Sequence, residues 1–306
     1  MHYPVRPLML NPDQLSGLSS RLIASHHENN YAGAVKRLNA LRGELAALDW
    51  PSAATFTING LKREELVAAN SAFLHELYFD NLGGNGVLPS CGLSIALTRD
   101  FGSVPAWRSQ FTGLAKAMGG GSGWALLSWS SRESRLVNQW AADHTHLLAG
   151  ATPVLALDMY EHAYHLDFGA AAAAYVDAFM DNIQWDKVYK RYGAAVEADA
   201  MAFGIAPAAA WAGVPGTIDV RREEDYAQSG QVVPGASWRD PSRVYEWGQE
   251  LDPSQPVLLY CLRGKDIGRS TVLALRALGK DARYIEGGIE AWQAAGLPLQ
   301  TQGGAA

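Results

Sequence analysis

Apolar positions recur at helical spacing from early in the chain. Leu15, Leu18, Leu22 and Ile23, then Val35, Leu38 and Leu41, fall three and four residues apart, which predicts helix over 13–42. A second helical stretch covers 62–82 and stops at Gly83-Gly84-Asn85-Gly86, a run that holds helix only at high entropic cost. Pro51 lies between them, so the two read as a hairpin of antiparallel helices. From about residue 98 the texture changes. A short helix (104–118) leads through Gly119-Gly120-Gly121-Ser122-Gly123 to two strand-like runs, 124–130 and 136–140. The polar residues 131–134 between them are a hairpin signal. Residues 153–157 form a third apolar strand, and helices follow near 171–182 and 185–200. Helices first, then a small antiparallel sheet flanked by helices, define an α+β fold.

Residues 202–216 are rich in Ala, Gly and Pro and carry no charge, which predicts a linker over 202–213. Beyond it strands at 217–220, 257–260 and 282–285 alternate with helices at 268–278 and 289–295, the pattern of a small α/β domain with a parallel sheet spanning 214–306. No repeat appears at solenoid spacing. The first part divides into 1–92, which holds the helical hairpin, and 93–201. A length of 306 residues fits more than one domain, each with its own core.

Composition narrows the function classes. Hydrophobic residues make up 48% and charged ones 18%, ordinary globular values that exclude a disordered chain. With 25 basic against 31 acidic residues the net charge is -6, so neither nucleic acid nor an anionic membrane is the expected partner. No stretch approaches the roughly 18 apolar residues of a membrane span. The opening MHYPVRPLMLNPDQLSG interrupts any apolar core of a signal peptide with Pro and polar residues. Cys91 and Cys261 alone cannot build a disulfide framework, and a soluble protein of the reducing cytoplasm is expected.

Three imidazoles and a carboxylate then stand out. His26 and His75 each sit in one of the two long helical stretches, where a hairpin brings them together. Asp158 ends the apolar run PVLAL, and His162 follows four residues later. Such a mixed nitrogen and oxygen set suits iron or manganese with a position left for water or substrate, while zinc stays open.

The segment Asp158-Met159-Tyr160-Glu161-His162-Ala163-Tyr164 resembles the D-x-W-E-H-A-Y signature of the iron/manganese superoxide dismutase family. Further blocks occur in the same order: SHHENNYAGAVKRLN around His26, LHELYFDNL around His75, GSGWALL at 121–127 and FMDNIQWDKVYKRY at 179–192. The resemblance covers residues 1–200. It implies that His26, His75, Asp158 and His162 hold one iron or manganese ion per subunit, with superoxide as substrate. Ser71 stands where iron members often carry a solvent-binding Gln, and His144 where manganese members place it. His144 is therefore expected to hydrogen-bond the solvent ligand, with iron slightly favoured as the metal. The resemblance also implies a homodimer in which Glu161 bonds the metal-binding histidine of the other subunit. The gate departs from the family pattern. Its tyrosine aligns with Ala34, its arginine with Ala171, and a His–Tyr pair across the interface with Asn30 and His165. Tryptophans of the aromatic wall become Phe79 and Tyr160. A working but slower or more product-resistant dismutase is expected, because steering of an anion and a proton-delivery hydroxyl are lost.

Cys261 follows the apolar strand PVLLY and opens CLRGKDIGRST ahead of a helix. Loop amides, a helix N-terminus and the charges of Arg263, Lys265 and Arg269 are expected to lower its pKa and favour thiolate. Residues 214–302 resemble a rhodanese-like domain, through IDVRREEDYAQSGQVVPGAS at 218–237, VLLYCLRGKDIGRS at 257–270 and ARYIEGGIEAW at 282–292. The resemblance implies a sulfane sulfur on Cys261, cradled by the loop around Arg263, Gly264 and Lys265, with Asp219 and Arg221 shaping the scaffold. The loop is about one residue longer than common versions, so the sulfur donor is left open. Cys91 receives no role. The alternative to a dismutase is a sulfurtransferase, or a redox or sulfide sensor, whose metal domain has become mainly a dimerisation platform.

Overall fold

A computed structural model describes residues 2–211 and 216–302. Helix α1 (Ser20–Ser25) passes through a π-helical turn, His26–Tyr31, into α2 (Ala32–Ala47), and α3 (Thr55–Asp80), α4 (Gly92–Phe101) and α5 (Val104–Ala117) follow. Strands β1 (Trp124–Ser130), β2 (Arg135–Ala141) and β3 (Ala151–Asp158) come next, then α6 (His165–Phe168), α7 (Ala172–Asp181) and α8 (Trp185–Ala200). The remainder runs β4 (Gly204–Ile205), α9 (Pro207–Trp211), β5 (Thr217–Asp219), α10 (Glu223–Ser229), β6 (Gln231–Val232) and β7 (Ser237–Trp238). It continues with α11 (Val244–Trp247), β8 (Val257–Tyr260), α12 (Asp266–Ala277), β9 (Ala282–Ile285), α13 (Gly288–Ala294) and β10 (Gln300–Thr301).

The described residues form two compact units. One gathers the chain up to Leu88 with Arg108–Ser128 and Asn138–Val188; the other gathers Pro89–Trp107, Trp129–Val137 and the chain from Tyr189 on. The antiparallel sheet has the order β2-β1-β3. Its middle strand β1 buries all seven residues, the five apolar ones together with Ser128 and Ser130, as a strand covered on both faces does.

In the first unit the helix expected over 13–42 starts later, because Ser19 caps it: its hydroxyl accepts the Leu22 N–H at 3.1 Å. Gly17, at φ +73°, turns the chain just before that cap. The π-helical turn adds a residue to one turn and so re-aims His26 relative to α2. Helices α2 and α3 pack through Leu38, Leu41 and Ala68, with Tyr3, Leu61 and Ala69 alongside. Each large aliphatic side chain buried there contributes about 1.5–3 kcal/mol.

In the second unit a five-stranded sheet has the order β4-β9-β8-β5-β7, and all its pairings are parallel. Asp219 lies opposite Tyr260 in the β5–β8 ladder. A separate antiparallel pair joins β10 to β6. The core collects Ala210, Val233, Leu258, Tyr260, Ile285, Ile289 and Trp292. The uncharged segment expected as a linker is built into this fold as far as it is described. Gly204 and Ile205 add an edge strand to β9, and Ala210 enters the core. Residues 212 and 213 of that expectation lie outside the described residues. Small side chains permit the close backbone approach here, so the same composition that reads as linker serves packing. Helix α4, over 92–101, was not expected from the sequence pattern.

Candidate functional site: metal centre and thiol cavity

Four donor atoms converge in the first unit. His26 comes from the π-helical turn, His75 from the C-terminal part of α3, Asp158 from the end of β3 and His162 from a 3-10 turn, Glu161–Ala163. One ligand atom from each lies within 4.8 Å of all the others. Asp158 Oδ2 is the hub. It stands 3.1 Å from His26 Nε2, 3.2 Å from His162 Nε2 and 3.4 Å from His75 Nε2. His75 Nε2 and His162 Nε2 are 3.4 Å apart. His26, His75 and Asp158 are buried, while the His162 side chain keeps 27% exposure and is the wet edge of the site.

Local hydrogen bonds fix these donors. His75 Nδ1 donates to the Ser71 carbonyl at 2.6 Å, so the lone pair of neutral His75 sits on Nε2 and faces the cluster. The Tyr160 N–H donates to Asp158 Oδ1 at 2.8 Å, which leaves Oδ2 to the histidines. Burial lowers the His75 pKa to about 3 and also lowers that of His26, so both rings are neutral and able to ligate. Burial pushes Asp158 up, but hydrogen bonds from His162 and His26 outweigh it and hold the carboxyl well below its usual range.

The arrangement fits a metal ion. Donors bound at about 2.0–2.2 Å to one cation stand roughly 3 to 3.6 Å apart at right and trigonal angles. The four contacts of 3.1–3.4 Å fall in that interval. Three imidazole nitrogens and one carboxylate oxygen are also the donor set expected for iron or manganese.

Aromatic rings enclose the cluster. Tyr78 and Phe79 lie 4.9 and 5.0 Å from His26, and Trp124 meets His75 edge-on at 5.3 Å. Tyr160 stacks on His162 at 5.4 Å and on His144 at 4.8 Å. The Phe79 and Tyr160 replacements thus keep the wall aromatic. His144 is half-buried, 6.3 Å from His75 between ring centres. Its Nδ1 accepts from Trp124 Nε1 at 3.0 Å, so the proton of the neutral ring is on Nε2. Trp124 and Tyr78 were not singled out from the sequence, although both lie in blocks that carried the family resemblance. Asn30 and Ala34 are half-buried, and Glu161, His165 and Ala171 are exposed.

The second unit carries the thiol site. Cys261 follows β8, is 3% exposed, and lines a cavity of about 230 Å³ with Arg263, Lys265 and Asp266. Gly268 lies close under the thiol: a Cβ there would stand 3.2 Å from the sulfur, a tight contact. Gly264 turns the loop at φ +61° against the backbone of Gly287 and Gly288. Arg269 is held instead by Glu197 at 2.9 Å and by the Tyr284 hydroxyl, and does not line the cavity.

One expectation is corrected here. Burial pushes the Cys261 thiol above its usual range, even though the amides of Gly268, Lys265 and Arg263 pull it down. The amides converge as expected, but desolvation wins. The scaffold pair is as expected: the Arg221 guanidinium grips Asp219 through Nε at 2.9 Å and Nη2 at 2.6 Å, and the Tyr260 hydroxyl donates to Asp219 at 2.8 Å. Cys91, which received no role from the sequence, also lines this cavity, together with Arg221 and Arg222.

Residues 89–191 match the family of iron/manganese superoxide dismutases, C-terminal domain, and residues 207–295 match the rhodanese-like domain. The superoxide dismutase [Fe] of Cupriavidus metallidurans is 62% identical over 196 residues, 64% of this chain and 99% of that protein. Superoxide dismutase [Mn] 2 of Haloferax volcanii is 34% identical over 204 residues, 64% of this chain and 98% of its own length. The superoxide dismutase [Fe] of Aquifex pyrophilus is 34% identical over 197 residues, 62% and 91% of the two chains. With this cluster and these relatives, the chain belongs to the iron/manganese superoxide dismutase family, and it carries a rhodanese-like domain as well.

Proposed function

We propose that this chain is a superoxide dismutase, disproportionating superoxide to dioxygen and hydrogen peroxide, with one iron or manganese ion held by His26, His75, Asp158 and His162. The observation that carries the reading is the convergence of those four donors. When bound, the ion supplies a one-electron redox couple that is oxidised and reduced in alternate half-reactions. The chain does the rest. Ser71 aims His75, the Tyr160 amide aims Asp158, and the aromatic wall keeps bulk water from the buried side.

His144 holds a proton on Nε2, because Trp124 occupies its Nδ1, and we assign that N–H to the solvent molecule of the site. Iron is preferred on the 62% identical relative named as an iron enzyme. Ala34 and Ala171 supply neither the hydroxyl nor the guanidinium of a gated funnel, so turnover is slower than in a gated enzyme. Glu161 and His165 are exposed beside the metal cluster, which supports their place, with Asn30, in a homodimer interface.

By function the chain divides into 1–92 and 93–201, which build the metal domain, and 214–306, which carries sulfur. The half-open, amide-lined cavity supports a sulfane sulfur on Cys261. No helix among the described residues is long and apolar enough to cross a membrane. The two free thiols fit a reducing compartment such as the cytoplasm.

Elemental analysis beside metal-normalised superoxide decay tests the reading; a rate no greater than that of the free aquo ion rejects it. The losses at Ala34 and Ala171 favour a second reading, in which the metal domain serves dimerisation and sulfur transfer is the activity. Bound metal without catalysed decay, together with a cyanide-labile sulfur on Cys261, is its signature.

A further inference from the structure

Two cysteines line one cavity. Cys261 reaches it from the loop after β8 and Cys91 from the start of α4. Cys91 is the N-cap of α4 and takes part in a capping box with Ser94; its N–H donates to Ser94 Oγ at 3.0 Å. Burial, with the nearby Asp266, pushes the Cys91 thiol up, while the amides of Ser94 and Leu93 at the start of this ten-residue helix pull it down and are placed to receive charge on the sulfur. The helix start presses on the Cys261 loop. A Cβ added to Gly92 would collide with the Asp266 carboxyl, so a larger residue here would displace that side chain. Tyr189 fastens the same carboxyl by donating to Asp266 Oδ1 at 2.9 Å.

A third group marks the cavity as a place for an anion. Arg221 lines it and is 0% exposed, and its Nη1 has no hydrogen-bond partner although Nε and Nη2 are both engaged. A buried guanidinium nitrogen left open in a residue that lines the same cavity as two cysteines is a donor in want of an acceptor.

We infer that Cys91 is the acceptor thiol of this site and takes the sulfane sulfur from Cys261. This rests on the reading of Cys261 as the carrier. The Cys91 sulfur, as thiolate, attacks the outer sulfur of the Cys261 persulfide. A new S–S bond forms on Cys91, the S–S bond of Cys261 breaks, and Cys261 leaves as thiolate. The proton given up by Cys91 returns to Cys261, so a thiol and a persulfide exchange places without an outside oxidant. Arg221 Nη1 stabilises the anionic sulfur during the handover.

The full chain, treated with glutathione persulfide and then freed of it, would be mapped by peptide mass spectrometry as wild type, Cys261→Ser and Cys91→Ser. Serine is a preferred N-cap, so Cys91→Ser keeps α4 capped. The expected result is one added sulfur on both cysteines in the wild type and none on Cys91 in Cys261→Ser. In Cys91→Ser the sulfur should stay on Cys261 about tenfold longer. Sulfur confined to Cys261 in the wild type overturns the handover and leaves the carrier reading standing. Equal loading of Cys91 in Cys261→Ser also overturns it, because the sulfur then arrives directly. No sulfur on either cysteine removes carrier and handover together.

Discussion

The metal cluster and the thiol cavity each bury an ionisable group that has to bear negative charge, and they treat it in opposite ways. Asp158 is fully buried and still held far below its usual pKa, because two imidazoles hydrogen-bond the carboxylate. Cys261 is almost as buried and is pushed up, because desolvation outweighs its loop amides and the Asp266 carboxylate adds to the rise. Partners that carry or share charge offset desolvation, whereas neutral dipoles at a sulfur do not. The first site is therefore poised for a cation even as the bare chain. The second is a buried thiol that stays protonated in the bare chain, so the negative charge of the proposed transfer would arrive with an incoming donor. Arg221 Nη1 and the exposed Lys265 are the groups that would meet that charge.

The contrast is most severely tested by removing one donor from the cluster. His75→Ala takes away a ligand and the ring that meets Trp124, and superoxide decay per chain is expected to fall to the background of free metal; retained metal with wild-type decay would break the metal reading. Next is the buried pair of the second unit. Asp219→Ala leaves Arg221 as an uncompensated buried charge, at a cost of about 3–5 kcal/mol. Hydrogen exchange of the β5, β8 and β9 amides would show that loss, and unchanged protection would mean that the pair is dispensable.

A smaller effect is expected at His144. His144→Ala should keep the metal and lower the metal-normalised rate about 10- to 100-fold. Trp124→Phe, which frees Nδ1 but leaves the imidazole, should cost only about 1 kcal/mol, roughly fivefold. Equal losses in the two variants would place the role on the tryptophan. The mildest test is the pH dependence of Cys261 alkylation, measured in a Cys91→Ser background. A raised pKa keeps the thiol protonated at neutral pH, so the rate should still climb as pH passes the ordinary cysteine value of 9.0. A plateau below that value would show that the loop amides outweigh burial.

Much of this was legible in the sequence, and the misses share a cause. Helical periodicity located α2, α3, α5, α7 and α8 and the apolar runs located β1, β2, β3, β8 and β9, because each buries a face that repeats along the chain. Helix α4 was missed because Cys91, Gly92 and Ser94 at its start show no strong period. Strand β4 was missed because two residues paired through backbone alone leave no side-chain pattern. The four metal donors were legible as a set only through the spacing of Asp158 and His162 and the family blocks. Nothing in VLPSCGL signals that Cys91 shares a cavity with a cysteine 170 positions later.

The sequence by itself determined which residues form the cluster of three histidines and an aspartate, which cysteine follows the central strand, and that a helical and mixed domain precedes a parallel α/β one. Those facts reside in local order: period, breaker residues and short motifs. Only the tertiary structure decided the tautomer of His144, the sign of the Cys261 shift, the open nitrogen of Arg221 and the meeting of Cys91 with the thiol loop. Each of these depends on what a side chain meets across space, and desolvation and hydrogen bonding are set by those neighbours rather than by the adjacent sequence.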